Sequence, residues 1–196
     1  MTVAILFARS DSNYYQINDV QVYDIKRDAR NYDGPFPVIA HPPCRSWGRL
    51  RAFSKHRPDE RNLARLAVAL VREFGGVLEH PAGSTLWRAQ RIPGPGESDN
   101  SGWTLSVSQK WFGHRAEKKT WLYICGVTPK NLPEYPITLE PPKAVIRLDM
   151  RRADGTHIKK GDLDYVPRLT KEENEHTPIG FAKWLVSVAN RCHQCF

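Results

Sequence analysis

Residues 37–81 read PVIAHPPCRSWGRLRAFSKHRPDERNLARLAVALVREFGGVLEHP, and this stretch decides the fold. The apolar run at residues 37–40 is typical of a buried strand and ends at a double proline. After Pro58, apolar residues recur at helical spacing up to the glycine pair at 75–76, which indicates an amphipathic helix. Val77-Leu78 then begins a second short strand. Strand, helix and strand at this spacing predict a βαβ unit with parallel strands and a right-handed crossover.

Two residues that could carry chemistry follow the strands of this unit. Cys44 comes shortly after the first strand, and Glu79 directly follows the second. Because open parallel sheets bind ligands at the carboxyl ends of their strands, we expect both side chains in one site. Pro42 and Pro43 fix the backbone before the thiol, and Arg45 is expected to favour the thiolate, the reactive form of cysteine. The alternative is a buried structural cysteine after a rigid turn.

The rest of the chain fits the same fold class. Short runs rich in β-branched and aromatic residues predict further strands, and an apolar stripe predicts a final helix. Residues 92–102, rich in proline and glycine, are expected to form a surface loop and are a candidate lid. We therefore predict a single α/β domain over residues 1–196. The further predicted strands are residues 2–7, 21–25 and 120–125, and the predicted final helix is 178–189.

Composition predicts a cytoplasmic protein without a membrane partner. Hydrophobic residues make up 40% of the chain and charged residues 26%, and no apolar run approaches the roughly 20 residues that a membrane helix needs. The apolar residues 2–7 are few and lack a basic leader, so they are interpreted as a strand rather than a signal peptide. The four cysteines show no evenly spaced framework, and reduced thiols are expected.

A net charge of +8 favours a polyanionic partner, because Lys and Arg that neutralise phosphates release counterions on binding. Residues 147–160 are strongly basic. A solvated cationic face without a ligand is the alternative. Cys192 and Cys195 have the spacing of metal ligands, yet structural zinc needs about four ligands. No second pair lies near them in the sequence, so we expect no metal site.

Two motifs resemble those of the DNA cytosine-5 methyltransferase superfamily. Pro42-Pro43-Cys44 matches the family's Pro-Pro-Cys motif. Glu79-His80-Pro81 occupies the place of its Glu-Asn-Val or Glu-Asn-Pro motif, with His80 where asparagine is usual. The resemblance implies a single Rossmann-like domain of methyltransferase type. It also implies that Cys44 adds to carbon 6 of a flipped cytosine while Glu79 polarises the ring at nitrogen 3 and the exocyclic amine.

This resemblance extends over about residues 38–126 and leaves 127–196 as a basic connection and a C-terminal helix. Residues 109–120 loosely resemble the segment after the family's glutamate strand, and more closely its form in short phage and prophage methyltransferase-like proteins. By this resemblance Arg115, Lys118 or Lys119 holds the base oxygen or a flanking phosphate. A solvated basic turn is the alternative for each. The substrate-binding residues predicted in this way are Pro43, Arg45, Ser46, His80, Arg115 and Lys119.

S-adenosylmethionine is the cofactor that the resemblance implies, and the sequence departs from the family where this cofactor binds. The family's glycine-rich loop after the first strand is replaced by Phe7-Ala8-Arg9-Ser10-Asp11-Ser12-Asn13, and no glycine precedes Gly34. Asp24 could take the place of the acidic residue that grips the ribose, or could simply cap its strand. We therefore expect a domain truncated at the cofactor-binding end.

Three functions follow from these observations. The first is a cytosine-5 DNA base-modifying enzyme, methyltransferase-like, that uses covalent addition of Cys44. The second is a pyrimidine nucleotide-modifying enzyme that keeps this nucleophile and does not use S-adenosylmethionine. The third is a catalytically inactive phage protein that binds DNA and masks it from restriction. Loss of activity in Cys44→Ser would separate the two enzymes from the third.

Overall fold

The computed structural model describes residues 1–55, 57–146 and 151–192. Six strands form one mixed sheet, in the order β2-β1-β3-β4-β6-β5. The first four strands in sequence are mutually parallel, and β6 runs antiparallel to both of its neighbours. The strands are β1 (Val3–Leu6), β2 (Val20–Tyr23), β3 (Val38–Ala40), β4 (Gly76–Pro81), β5 (Gly102–Ser108) and β6 (Lys119–Cys125).

Helices cover both faces of the sheet, which confirms the predicted α/β class. On one face α1 packs in a core with Leu6, Ala40 and Leu78. On the other face α4 packs in a second core with Ile5 and Ile39. The helices are α1 (Glu60–Phe74), α2 (Leu86–Ala89), α3 (Lys171–Glu175) and α4 (Ile179–Ala189).

Strand alternation decides which layer each residue at the sheet edge enters. Successive side chains of a strand point to opposite faces. Val77 joins the α4-side core and Leu78 the α1-side core. The side chain of Glu79 therefore points to the α4 side of the sheet, whereas that of His80 points to the α1 side. By the same alternation the side chain of His41, which follows β3, lies on the same face of the sheet as Glu79.

The strand–helix–strand unit predicted from residues 37–81 is present as β3, α1 and β4, with β3 and β4 parallel. β4 is longer than expected, so Glu79 lies within the strand rather than beyond its end. The reason is β6, whose antiparallel ladder continues along β4 as far as the pair Pro81 and Thr120.

Three other predictions can be compared with the structure. Predicted strand 120–125 is confirmed as β6, and the final helix is confirmed as α4. Residues 92–101 form the expected loop, but Gly102 already begins β5, a strand that the sequence pattern did not indicate. Part of the basic stretch at 147–160 lies outside the described residues. Within residues 1–55, 57–146 and 151–192, none of the helices combines the length and apolar character that a bilayer span requires.

The order in which strands are added to the sheet changes direction at β1: β2 lies on one side of it, and β3 and β4 lie on the other. β1 pairs with β2 on one side and β3 on the other. In open α/β sheets, ligands bind outside the carboxyl ends of the strands at such a switch point. Chain segments that follow β1 and β3 therefore border the expected ligand site.

The close approach of β3 and β4 at Gly76 can be tested by mutation. Gly76 has a φ of +119°, and a Cβ there would lie 1.9 Å from the carbonyl oxygen of Val38. We expect Gly76→Ala to lower the free energy of unfolding by about 3 kcal/mol or more, because it adds both backbone strain and a clash. Urea unfolding measures this loss.

Gly155→Ala is the matched control, since Gly155 has a φ of +84° with no atom within 4 Å of the added Cβ. It should cost about 1 kcal/mol, from backbone strain alone. Equal losses in the two variants would contradict the close approach.

Candidate active site

The Glu79 carboxylate lies at the carboxyl edge of the parallel strands and is held by two side chains. Its side chain is 13% exposed. Oε2 lies 3.0 Å from Nδ1 of His41, and Oε1 accepts a hydrogen bond of 3.0 Å from Nε2 of Gln109. A carboxylate can accept about four hydrogen bonds. The two contacts therefore fix its orientation and leave acceptor positions for a ligand.

Several opposing influences set the pKa of Glu79. Burial alone raises it, but the hydrogen bond and charge of His41 and the charge of Lys118 outweigh burial and lower the pKa to about 2. The carboxyl group is consequently ionised at neutral pH. It acts as a hydrogen-bond acceptor rather than as a proton donor in the free protein.

His41 connects Glu79 to a buried tyrosine. Nε2 of His41 lies 2.9 Å from the hydroxyl of Tyr14, and burial followed by the charge of Glu79 raises the pKa of Tyr14 well above its ordinary value. The imidazole of His41 therefore lies between the Tyr14 hydroxyl and the Glu79 carboxylate, within hydrogen-bonding distance of both. Tyr14, His41 and Glu79 thus form one hydrogen-bonded chain.

Cys44 follows β3 in a tight turn at the mouth of this site. The amides of Trp47 and Gly48 donate hydrogen bonds of 3.0 and 2.7 Å to its carbonyl oxygen, and the Trp47 ring is buried in the α1-side core. The residue itself is exposed to solvent. The turn therefore places an exposed cysteine next to a residue that is anchored in the core.

The resting thiol is protonated at neutral pH. Neighbouring protein atoms partly desolvate the thiol, which raises the pKa of Cys44. The charge of Glu79 raises this pKa further, and the charge of Lys118 lowers it. The charges of Glu79 and Lys118 are therefore near enough to act on the Cys44 thiol. Lys118 is partly buried, and its Nζ donates a hydrogen bond of 2.8 Å to the carbonyl oxygen of Asn174.

Arg45 does not take the position expected from the sequence. Its guanidinium pairs with the buried carboxylate of Glu60, the first residue of α1. Because that carboxylate lies in the body of the domain, the pair ties the loop after Cys44 to the helix. The cation that acts on the thiol is Lys118.

The predicted basic residues around the start of β6 occupy different environments. Lys119 is exposed, with its Nζ 4.0 Å from Glu117, while its neighbour Lys118 faces the site. Arg115 pairs with the carboxylate of Glu173, close to the carbonyl group that binds Lys118. Of the two lysines, the structure therefore brings Lys118, not Lys119, to Cys44.

His80 is fully buried on the opposite face of the sheet, so the prediction that it contacts substrate is corrected. Its ring lies edge-on to Trp87, with centroids 6.0 Å apart, and burial lowers its pKa to about 4. Neither ring nitrogen has a hydrogen-bond partner within the described residues. Ser46 is also buried, whereas Pro43 lies half-buried beside Cys44.

The residues after β1 and β2 do not fit S-adenosylmethionine. Oδ1 of Asp24 accepts from the amides of Lys26 and Arg27, and Oδ2 accepts from the Tyr15 hydroxyl at 3.0 Å. These contacts support capping, the alternative interpretation of Asp24. In the loop after β1, Arg9 pairs with Asp11 at 2.9 Å where the family has glycines. Side chains thus stand where the family's glycines let the backbone approach the cofactor.

No metal site is evident in the parts of the chain that the structure describes, where no group of three or more potential ligand residues occurs. Cys192 is buried at the end of α4. Its three motif partners, residues 193–195, lie outside the described residues, so the prediction about this motif is not tested.

Several site residues were missed in the sequence. His41 could have been found, because it precedes the double proline and shares a face with Ile39 through strand alternation. Gln109 and Tyr14 gave no such signal, since long-range packing brings them to Glu79. The fully buried Gln109 also donates to Thr120 Oγ1 at 3.1 Å, which links Glu79 to β6.

The lowered pKa of Glu79 predicts a specific acid sensitivity. A folded pKa of about 2 against an ordinary value of 4.5 gives stability that is complete above pH 4.5 and is lost as the pH falls towards 2. This contribution is on the order of 3 kcal/mol. We expect Glu79→Gln to lose less stability than the wild type between pH 5 and 3, measured by urea unfolding. Glu117→Gln, at an exposed position, should follow the wild type, and identical profiles for all three proteins would contradict the assignment.

The pKa of the Cys44 thiol should respond to two neighbours in opposite directions. Glu79→Gln removes a negative charge and should lower the thiol pKa, whereas Lys118→Met removes a positive charge and should raise it. The pH dependence of alkylation by iodoacetamide, followed by mass spectrometry of the Cys44 peptide, measures both shifts. Arg45→Met is the control and should leave the thiol pKa unchanged. A rise in Arg45→Met that matches Lys118→Met would restore the original assignment of Arg45.

Comparison with known proteins adds no assignment to this geometry. No protein-family model matches the chain, and no curated protein matches it significantly. The functional interpretation therefore rests on the arrangement of Cys44, Glu79, His41 and Lys118.

Proposed function

We propose that this chain modifies carbon 5 of cytosine in DNA through covalent addition of Cys44 to carbon 6. The observation that carries the proposal is a geometric one. A buried Glu79, oriented by His41 and Gln109, lies near the end of β4, and the exposed Cys44 follows the neighbouring parallel strand β3. A cytosine ring between these groups would meet the sulfur at carbon 6 and the carboxylate at the edge bearing nitrogen 3 and the amine.

The carboxylate supplies the electrostatic half of the chemistry. Its remaining acceptor positions can bind the exocyclic amine of cytosine. As the sulfur adds to carbon 6, negative charge develops towards nitrogen 3. Nitrogen 3 takes up a proton from water, which balances the proton that the thiol releases to water, and the Glu79 carboxylate stabilises the new N–H by accepting a hydrogen bond from it. His41 and Gln109 keep the carboxylate aligned during this step, so they are positioning residues.

The cysteine supplies the nucleophile. Its thiol must lose a proton before attack, and the positive charge of Lys118 favours the resulting thiolate. Addition makes carbon 5 carbanion-like, so that it can accept an electrophile. By the resemblance the electrophile is the methyl group of S-adenosylmethionine, but the residues after β1 do not fit that cofactor.

The loop that follows Cys44 supports DNA as the partner. Between residues 41 and 58 the sequence contains no acidic residue, and Leu50 and Phe53 are 72% and 87% exposed. Cationic loops with exposed apolar side chains suit a charged duplex from which a base must be extruded. The cations of this loop are Arg45, Arg49, Arg51, Lys55 and Arg57.

The architecture is compatible with a Rossmann-like domain of methyltransferase type, which we include in the proposal. Its support is a parallel arrangement of β1 to β4, covered on both faces, with the candidate residues at the carboxyl edge. The poor fit to S-adenosylmethionine favours the second candidate, an enzyme that modifies a pyrimidine nucleotide without this cofactor.

Hydrogen exchange at carbon 5 of cytosine tests the covalent step without any cofactor. When the Cys44 sulfur bonds to carbon 6, carbon 5 takes a deuteron from D2O. Loss of the original proton and of the sulfur then returns cytosine with deuterium at carbon 5. We expect this exchange with the wild type and none with Cys44→Ser, measured by mass spectrometry of nucleosides from an oligonucleotide and of dCMP.

Two further variants sharpen this experiment. Glu79→Gln should slow exchange by about 10²- to 10⁴-fold, the usual contribution of acid–base assistance. Lys119→Met should exchange at the wild-type rate, because its side chain points away from the site. Exchange in Cys44→Ser, or none in the wild type while DNA still binds, would sink the enzymatic proposal and favour an inactive DNA-binding protein.

A further inference from the structure

Three cations lie at the edge of the sheet that carries Cys44 and Glu79. Arg9 follows β1, and Arg115 and Lys118 precede β6. Because β6 is antiparallel to β4, its first residues lie beside the carboxyl end of β4. The three side chains thus come from different segments and border the same site.

One short segment binds all three cations with consecutive residues. The Glu173 carboxylate accepts from Arg115, the carbonyl oxygen of Asn174 accepts from Lys118 at 2.8 Å, and the Glu175 carboxylate accepts from Arg9 at 2.6 Å. Each of the three cations is therefore bound by an oxygen of α3.

This segment is held to the domain in a way that permits displacement. None of the residues of α3 is buried, and the pairs of Arg9 and Arg115 are solvent-exposed. Such pairs contribute about 0–1 kcal/mol each.

Apolar anchors stand on either side, namely Leu169 before α3 and Phe181 after it. Directly after α3, His176 lies 3.0 Å from Asp11, and the Thr177 carbonyl oxygen accepts from Asn13 at 2.8 Å. These contacts lie outside α3, so the helix can leave the cations while both ends of the segment remain held.

We propose that Arg9, Arg115 and Lys118 form a phosphate-binding subsite beside Cys44, and that the oxygens of α3 occupy this subsite when no substrate is bound. Arg9 and Arg115 each bind their α3 carboxylate through Nη1, while Nε and Nη2 of Arg9 bind Asp11. A phosphate oxygen can take the place of either α3 carboxylate on Nη1, because guanidinium groups bind both kinds of oxygen. Glu173 and Glu175 are therefore internal competitors of the substrate phosphate. The identity of the neighbouring base rests on the proposed function.

The phosphate can come from either of two sources with the same chemistry. One is the terminal group of a nucleotide, and the other is the backbone diester of DNA. Both present anionic oxygens to the three cations, and both would displace the same two carboxylates. Ligands that differ only in this group therefore test the subsite and identify its source.

The experiment measures binding to the full chain carrying Cys44→Ser, so that no covalent chemistry intervenes. Calorimetry compares deoxycytidine, dCMP and a short single-stranded oligonucleotide containing one cytosine. Glu173→Gln and Glu175→Gln should each tighten binding of a phosphate-bearing ligand by about two- to fivefold, as expected for loss of one exposed ion pair. Deoxycytidine should bind unchanged. A gain for dCMP indicates a terminal phosphate, and a gain for the oligonucleotide alone indicates a diester.

Glu172→Gln is the matched control, because it removes the same charge from the same helix at a residue for which no contact to the three cations occurs in the described structure. It should leave all three affinities unchanged. Glutamine at position 173 can still accept from the Thr170 amide, as in other capping boxes. Arg115→Gln should have the opposite effect and remove the preference for dCMP or the oligonucleotide over deoxycytidine.

Phosphate ligands that gain nothing in Glu173→Gln and Glu175→Gln, or gain as much in Glu172→Gln, would overturn the subsite and leave α3 as a permanent structural clamp. This outcome is separable from failure of the covalent mechanism. Deuterium exchange at carbon 5 with unchanged phosphate affinities contradicts only the subsite. The expected affinity changes without exchange contradict only the chemistry.

Discussion

The hydrogen bond between His41 and Glu79 is the interaction on which the site depends. It joins the ends of two parallel strands and keeps a buried carboxylate ionised. A charge in this position is costly unless it is paired, and the hydroxyl of Tyr14 on the far side of the imidazole completes the pairing. The segment after β1 is thereby connected to the strand that supplies the acceptor.

Strand alternation explains why adjacent residues of one motif have unrelated environments. Glu79 faces the α4 side and meets polar partners, whereas His80 faces the α1 side and packs against Trp87. A motif read as a linear string suggests that both residues serve one purpose. In a strand, residues separated by two positions share a face, and this parity pairs Glu79 with the layer that contains His41.

Local patterns predicted the parts of the fold that depend on local sequence. The apolar periodicity of residues 63–74 and the run at 37–40 were sufficient for α1 and β3. β5 escaped prediction because it begins at a glycine next to a loop and is stabilised by its ladder with β6. The sequence also did not show which of Lys118 and Lys119 lies near Cys44. Neighbouring residues at the start of a strand point in opposite directions, so the choice required the structure. Proximity in sequence assigned Arg45 to Cys44, but in the fold its partner is the buried Glu60.

The environment of Cys44 has a consequence for the durability of the protein. Oxidants attack the thiolate rather than the thiol. Desolvation and the negative charge of Glu79 both raise the pKa of Cys44 and keep its thiol protonated. The protonated thiol of the unliganded protein is therefore less readily oxidised to a sulfenic acid. The same carboxylate that is proposed to engage the ring edge thus also keeps Cys44 in its less reactive, protonated form.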